Sequence, residues 1–200
     1  IALSGALEFI EKYEGEGQSD SGIIGHFGLG FYSAFMVAER VDVLTKSYTD
    51  APAVLFSCDE SGSYNLTDGE RTERGTDVIM HISADESEFL EKERIKALLG
   101  KYCSFLPYPV FFDGEQINDT EPLWQKRAQD CTEDEYREFY TKVFGDCKQT
   151  LFHIHLNADY PLNFKGILYF PKINPALEGV EGQVKLYYNQ MFVADNVMEI

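Results

Sequence analysis

Three glycines run directly into an apolar stretch in Gly25-His26-Phe27-Gly28-Leu29-Gly30-Phe31-Tyr32-Ser33-Ala34-Phe35. Their spacing is G-x-x-G-x-G, and a residue without a Cβ lets backbone amides approach an anion closely. A helix that begins beside such a loop adds unpaired N–H donors and a partial positive charge. The stretch therefore predicts a loop that wraps nucleotide phosphates and leads into a helix. A plain tight turn ahead of a helix would explain the same glycines.

Three familiar phosphate loops do not fit this stretch. A Walker A loop ends in Gly-Lys-Ser/Thr, which is absent from the chain. The dinucleotide-binding fingerprint spaces its glycines as G-x-G-x-x-G after a full strand, and only Ile23-Ile24 precedes these glycines. The protein-kinase loop has the same G-x-G-x-x-G spacing and lies over a hairpin instead of opening a helix.

Composition narrows the class of protein. The chain has 200 residues, of which 44% are hydrophobic, so it can bury a core in one or two domains. Its net charge of −17 argues against direct nucleic-acid binding, which requires clustered Lys and Arg. No apolar run approaches the ~20 residues that span a bilayer. We expect a cytosolic protein with reduced thiols, because the four cysteines form no C-x-x-C pair. The N-terminal residues are not typical of a signal peptide, and we expect them to lie inside a longer protein.

Apolar periodicity predicts an α+β first half. A helical face follows the glycine loop and comprises Phe31, Ala34, Phe35 and Ala38. Strands are predicted at 41–46, 54–57, 63–67 and 76–82, a helical region at 85–102, and a hairpin at 110–117 turned by Asp113-Gly114. This order of elements is typical of a two-layer α/β sandwich.

The second half is predicted to be a separate α/β unit. A polar segment that ends at Pro122 suggests a boundary, so we divide the chain into domains 1–118 and 119–200. Thr132 and Glu135 have the spacing of a capping box, and Gly145 is placed to end the helix that follows. Strand-like patterns then occupy 151–156, 164–170 and 184–193.

The glycine stretch closely resembles the I-G-Q-F-G-V-G-F-Y-S-A-F signature of the ninety-kilodalton heat-shock chaperones. Other segments resemble the same family in order along the chain: Ser4-Gly5, Val37-Ala38-Glu39-Arg40-Val41, Arg74-Gly75-Thr76, Tyr108-Pro109-Val110, Pro122-Leu123-Trp124, Thr132-Glu133-Asp134-Glu135-Tyr136 and Leu168-Tyr169-Phe170-Pro171-Lys172. Eukaryotic cytosolic members carry a long charged linker where this chain has only a short polar connection, so the resemblance is to the bacterial type.

This resemblance implies the C-terminal part of a Bergerat-fold (GHKL) ATP-binding domain, with its lid and sheet, in 1–118. The start of the chaperone middle domain would follow in 119–200. The parent protein would be a cytoplasmic, ATP-dependent chaperone of the stress response that assists protein folding. ATP-driven lid closure would be coupled to the middle domain. Its partners would be unfolded or partly folded clients and co-chaperones. It would form a homodimer through a C-terminal domain outside this chain, with no nucleic-acid or membrane partner.

The resemblance also implies which residues bind ATP. The expected nucleotide-binding set comprises Ser4, Gly5, Gly25, His26, Phe27, Gly28, Leu29, Gly30, Phe31 and Thr76. Backbone amides of the loop would hold the phosphates, and Thr76 would reach the adenine through water. The family's general-base Glu, its Mg²⁺-carrying Asn and its γ-phosphate-sensing Arg match no residue here. We therefore expect no catalytic or metal-binding residue in this chain and no ATP hydrolysis by it alone.

Several residues carry a plainer interpretation. Phe31 and Phe35 would also serve as core anchors, and Trp124 as a packing residue at the domain edge. His153 and His155 share a strand face but lack a third ligand, so we expect them to be structural and not zinc ligands. Gly28 and Gly30 are candidate lid hinges, and we expect Gly30 to adopt the left-handed conformation.

Two positions depart from the family pattern. Leu3 replaces a common phosphate-facing Lys, and His26 replaces the usual Gln. Losing a charge-assisted contact at Leu3 predicts weaker nucleotide binding than in members that keep the lysine. Two other classes of protein stay open at this point. One is another GHKL ATPase of the topoisomerase or mismatch-repair type, and the other is a binding module without enzymatic activity.

Overall fold

The computed structural model describes residues 29–145, 148–160, 163–172 and 183–195. Within these ranges the protein combines short helices with antiparallel sheets, which confirms the predicted α+β class. The chain divides into two compact units between Ala97 and Leu98. None of the described helices has the length and apolar character that crossing a membrane requires.

The first unit is built on one four-stranded sheet. Its elements are α1 (Leu29–Tyr32), a 3₁₀ turn (Ser33–Met36), β1 (Ala38–Lys46), β2 (Val54–Asp59), β3 (Tyr64–Asp68) and β4 (Gly75–Ile82). The strand order is β3-β2-β1-β4, and every neighbouring pair is antiparallel. All four strands predicted for this region are confirmed. Ala38, predicted on the helical face, instead begins β1, because the helix is only one turn long before the 3₁₀ turn.

The two faces of this sheet differ in character. Val41 and Val43 of β1 are fully buried and point to the same face. In register, Val43 lies between Phe56 of β2 and Val78 of β4, so this face is apolar across three strands. Asp42 points to the opposite face, as the alternation of a strand requires.

A 3₁₀ segment (Ala84–Leu90) and α2 (Lys92–Tyr102) follow the sheet. The predicted helical region is interrupted at Glu91, which has extended backbone angles of φ −79° and ψ 125°. The interruption separates the 3₁₀ segment from the helix. The division between the two units falls within α2.

A short hairpin pairs β5 (Phe111–Phe112) with β6 (Glu115–Gln116). Asp113 and Gly114 connect the strands with φ values of 49° and 85°. Positive φ at both central residues defines the type I′ turn that suits the twist of antiparallel strands, and Asp-Gly favours it. The predicted hairpin is confirmed.

Asn118 holds the segment that leads into this hairpin. Its Oδ1 accepts from the Val110 N–H at 2.7 Å, and its Nδ2 donates to the carbonyl oxygens of Leu106 at 2.9 Å and Tyr108 at 2.7 Å. The side chain is the one buried polar group in the described part of the chain. A single amide therefore pairs three backbone groups of a segment without regular structure.

The capping box predicted in the second unit is present at the start of α3 (Glu133–Phe144). Thr132 Oγ1 accepts from the Glu135 N–H at 3.3 Å, and Glu135 Oε2 accepts from the Thr132 N–H at 2.8 Å. Gly145 ends the helix with φ 72°, in the left-handed region as predicted.

The remaining strands are β7 (Thr150–Ala158), β8 (Phe164–Pro171), β9 (Lys185–Tyr188) and β10 (Met191–Asp195). The strand pattern at 184–193 is in fact a hairpin, because Asn189 and Gln190 adopt φ values of 47° and 63° between β9 and β10. Glutamine is rare in this conformation. Its side-chain amide donates to the Phe105 carbonyl oxygen at 2.8 Å, a contact that holds the turn.

An aromatic core fills the second unit. Phe105 is only 2% exposed, and its ring centroid lies 4.8 Å from Trp124, 5.6 Å from Phe139 and 5.3 Å from Tyr187. The predicted packing role of Trp124 is confirmed.

Both histidines of β7 contact Tyr136. The ring of His153 stacks on Tyr136 at 3.7 Å, and His155 Nδ1 is 2.7 Å from the Tyr136 hydroxyl. Their packing against α3 agrees with the structural role that we expected.

Candidate functional site

The glycine stretch enters the described residues at its last glycine. Leu29 and Gly30 open α1, and the Ser33 hydroxyl donates to the Gly30 carbonyl oxygen at 2.6 Å. The first N–H groups of a helix have no partner within it, which is the property expected of this segment. The predicted site residues Ser4, Gly5, Gly25, His26, Phe27 and Gly28 lie outside the described residues, as does Leu3.

The structure corrects the expectation of a left-handed hinge at Gly30. Its φ is not among the positive values in the described chain, because the residue is already helical. A Cβ added there would meet no atom within 4 Å. Alanine would therefore be accepted at Gly30 without steric strain.

Phe31 anchors the short helix on the apolar face of the sheet. Its ring contacts Phe35 and Phe56 edge-to-face, with centroids 5.8 Å apart in each pair. Phe31 and Phe35 both pack against the buried residues of β1, which confirms their role as core anchors. The ring of Phe31 therefore holds the short helix against the sheet.

A cavity of about 500 Å³ lies beside this helix. It is lined by Gly30, Phe31, Ser33, Ala34, Val37, Val41, Val78 and Met80. The lining is mostly apolar, as is typical of small-molecule sites, and the end of the glycine stretch forms part of its wall.

Thr76 lies on the same strand and the same face as the two β4 residues of the cavity. It is exposed and stands directly opposite Thr45 of β1, with 2.7 Å between the two Oγ1 atoms. Strand alternation places Thr76, Val78 and Met80 in one row. The structure thus brings Gly30 and Phe31 to the row that contains Thr76, although Thr76 itself is not a lining residue.

Sequence reasoning did not assign several residues of this region to the site, among them Val78, Met80 and Thr45. Val78 and Met80 belong to the alternating pattern that predicted β4, so the strand pattern contained the signal for them. Thr45 had no local signal, because its place opposite Thr76 depends on the register of two strands 31 residues apart.

The opposite face of the sheet carries a polar cluster. Asp42 accepts from the Ser57 hydroxyl at 2.5 Å and lies 2.7 Å from His81 Nε2, and Arg40 Nε is 3.4 Å away. Burial acts to raise the pKa of Asp42. The hydrogen bonds from Ser57 and His81 and the charge of Arg40 outweigh it and hold this pKa below its usual value. The sheet therefore separates a charged face from the apolar face of the cavity.

Comparison with known proteins defines the class. The family model described as Hsp90 protein matches residues 111–200. Over 100% of its length the chain is 50% identical to a protein named chaperone protein HtpG from Porphyromonas gingivalis, of which it covers 31%. The chain belongs to the Hsp90 family.

The similarity is to bacterial members. The HtpG chaperone of Bacteroides thetaiotaomicron is 46% identical over 98% of the chain, and that of Roseobacter denitrificans is 37% identical over 100%. The chain covers 31% and 33% of these two proteins, so it spans about a third of the length of the curated relatives it matches.

Proposed function

We propose that this chain is part of an ATP-dependent molecular chaperone of the HtpG type. The observation that carries the proposal is the alignment of the whole chain with HtpG chaperones at up to 50% identity. The cavity at the end of the glycine stretch supports it, because that is where a nucleotide-binding lid would meet the sheet. The activity belongs to the parent protein, of which this chain would supply one segment.

The proposed nucleotide site joins the glycine stretch to β4. Backbone amides of Leu29, Gly30 and Phe31 would face the phosphates, together with the preceding loop. Thr76 would face the base. The described residues fit such a ligand: the cavity is apolar enough to hold a purine, and the N–H groups of Leu29, Gly30 and Phe31 have no acceptor within α1 itself. When bound, ATP with Mg²⁺ would supply a polyphosphate whose binding stabilises one lid conformation.

The proposed domain arrangement follows from the same family membership. Residues 1–118 would form the C-terminal part of a Bergerat-fold ATP-binding domain, and residues 119–200 would begin the middle domain. The antiparallel sheet of the first unit and the helix and strand hairpins of the second support this assignment. Hydrolysis would require groups outside this chain, so we propose that the chain alone does not turn over ATP.

The proposed coupling between ATP binding and lid closure depends on a difference in ATP affinity between two lid conformations. ATP shifts the lid equilibrium only by the difference between its affinities for the closed and open states. Phe31 packs α1 against Phe56 of the sheet. A movement of the helix during lid closure would change this packing and so affect the sheet. Unfolded clients, co-chaperones and a second copy of the parent protein would be the partners.

Two measurements on the full-length protein test this function. Calorimetric titration with Mg-ATP should give saturable binding, and the protein should suppress the aggregation of a heat-unfolded enzyme. Binding without suppression would indicate another GHKL ATPase, and the absence of both would overturn the proposal.

A matched pair of variants tests the site. Thr76→Val removes the hydroxyl that faces the proposed base and should weaken ATP binding about three- to tenfold, the contribution of one neutral hydrogen bond. Thr67→Val is the control. Thr67 is also an exposed threonine, but it pairs with Leu55 and so lies on the other face of the sheet. Equal ATP affinities for the two variants would show that Thr76 is not part of the nucleotide site.

A further inference from the structure

Thr45 and Thr76 form a hydroxyl pair on the cavity face of the sheet. They are cross-strand neighbours in β1 and β4, and their Oγ1 atoms are 2.7 Å apart. Thr45 Oγ1 also lies 3.4 Å from the carbonyl oxygen of Gly75. Thr45 is therefore in contact with two oxygens, of which only one can donate a proton.

The number of protons decides the direction of both hydrogen bonds. A threonine hydroxyl carries one proton, and a carbonyl oxygen only accepts. If Thr45 donates across the 3.4 Å contact to Gly75, the proton between the two hydroxyls comes from Thr76. This arrangement satisfies both contacts, and it leaves the Thr76 oxygen with lone pairs alone for a ligand.

The backbone next to Thr76 is held in place. Gly75 has φ +142°, a conformation that favours glycine, and a Cβ built there would lie 2.6 Å from Arg71 Nη2. Arg71 in turn pairs with Asp77 and donates from Nε to the Glu73 carbonyl oxygen at 2.9 Å. The guanidinium packs over Gly75 on one side while β1 pairs with β4 on the other. The backbone next to Thr76 is therefore restrained on both sides.

We propose that Thr45 is a positioning residue that makes Thr76 a hydrogen-bond acceptor toward the nucleotide base. This inference rests on the proposed nucleotide site. The group that meets Thr76 must then present a proton: the amino N–H of a 6-aminopurine, or the O–H of a water between the base and the threonine. A 6-oxopurine in direct contact would place a carbonyl oxygen against an acceptor.

The experiment is a double-mutant cycle in the full-length protein, titrated calorimetrically with Mg-ATP and Mg-ITP. Thr45→Val keeps the shape of the side chain and removes the hydroxyl, whereas Thr45→Ser keeps the hydroxyl and is the control. We expect Thr45→Val to weaken ATP binding about three- to tenfold and Thr45→Ser to bind within about twofold of wild type. Thr45→Val should lose nothing more when Thr76→Val is already present, because Thr45 acts through Thr76.

The ITP titrations separate the two proton sources. A fall in the ATP-to-ITP preference on Thr45→Val supports direct contact with the amino group. An equal loss for both nucleotides that vanishes in the Thr76→Val background supports the bridging water. Unchanged ATP affinity in Thr45→Val, or losses that add in the double variant, would overturn the inference. Wild-type protein that binds no Mg-ATP would overturn the proposed function instead, so the two failures are distinguishable.

Discussion

The two units of this chain differ in how they bury their side chains. The first unit buries small aliphatic residues of β1, chiefly Val41 and Val43. The second unit buries an aromatic cluster around Phe105, contributed by separate helices, turns and strands. In the first unit the apolar face continues into exposed side chains, with Val78 56% and Met80 39% exposed.

This difference separates the packed core of the second unit from the proposed ligand site of the first. A sheet whose apolar face is only partly covered has room beside it for a ligand, and the cavity occupies that place. The second unit has its own core and does not depend on that face. We therefore expect core substitutions to destabilise the second unit more than the first, and the predictions below run from the largest effect to the smallest.

Phe105→Ala tests the aromatic core. Removing a ring that is 2% exposed and contacts three other rings should lower the free energy of unfolding by about 4 kcal/mol. Urea unfolding followed by the fluorescence of Trp124, the only tryptophan, reports this change. Phe111→Ala is the control, because Phe111 is 62% exposed and its loss should change stability by about 0.5 kcal/mol or less. Similar values for the two variants would contradict the assigned core.

Asn118→Ala tests the three hydrogen bonds that the Asn118 side chain makes to the backbone of the second unit. Three backbone groups lose their partner, so we expect a loss of about 3 kcal/mol by the same unfolding measurement. Asn118→Asp keeps an acceptor for Val110 but sets a carboxylate oxygen against the carbonyl oxygens of Leu106 and Tyr108. It should be no more stable than the alanine variant, and near-wild-type stability of Asn118→Asp would show that the two donated bonds matter little.

Val43→Ala and Val78→Ala compare the covered and open parts of the first unit. The two valines face each other in register on the same side of the sheet, and one is fully buried while the other is 56% exposed. We expect a loss of about 2 kcal/mol for Val43→Ala and less than about 1 kcal/mol for Val78→Ala. Amide hydrogen exchange of β1 and β4 resolves this difference. Equal losses would mean that the cavity face is closed.

We expect the titration of Glu135 to have the smallest effect on the free energy of unfolding, and this effect depends on pH. The hydrogen bond from Lys126, followed by those from Thr132, lowers its pKa to about 2 from 4.5. Because the folded-state pKa is depressed, this stabilisation is present above pH 4.5 and is lost as the pH falls toward 2. Glu135→Gln keeps a capping side chain and removes the titration, so it should flatten the stability curve between pH 4.5 and 2. A curve parallel to that of wild type would contradict the assignment.

Local signals in the sequence predicted most of the elements. The alternation at 76–82 predicted β4, and Asp113-Gly114 predicted the turn of a hairpin, because both depend on residues within one strand or turn. The hairpin at 184–193 was missed because Asn189-Gln190 is a weak turn signal. Its positive φ values are accompanied by a contact with Phe105, 85 residues away.

The candidate site could be predicted only in part. The glycine stretch was identified from the spacing of its glycines and Thr76 from a family resemblance, and the family is confirmed by comparison. Val78 and Met80 belong to a strand pattern that had been recognised. Their exposure beside α1 is a property of packing between elements that no single stretch contains.

The sequence by itself determined the α+β class, the capping box at Thr132, the turn at Gly114 and membership of the Hsp90 family. Those features act over a few residues or are written directly in the order of residues. The tertiary structure decided the strand order β3-β2-β1-β4, and with it the pairing of Thr45 with Thr76. The physical reason is that register depends on the packing of strands distant in sequence, and a shift of one residue would turn every side chain to the other face.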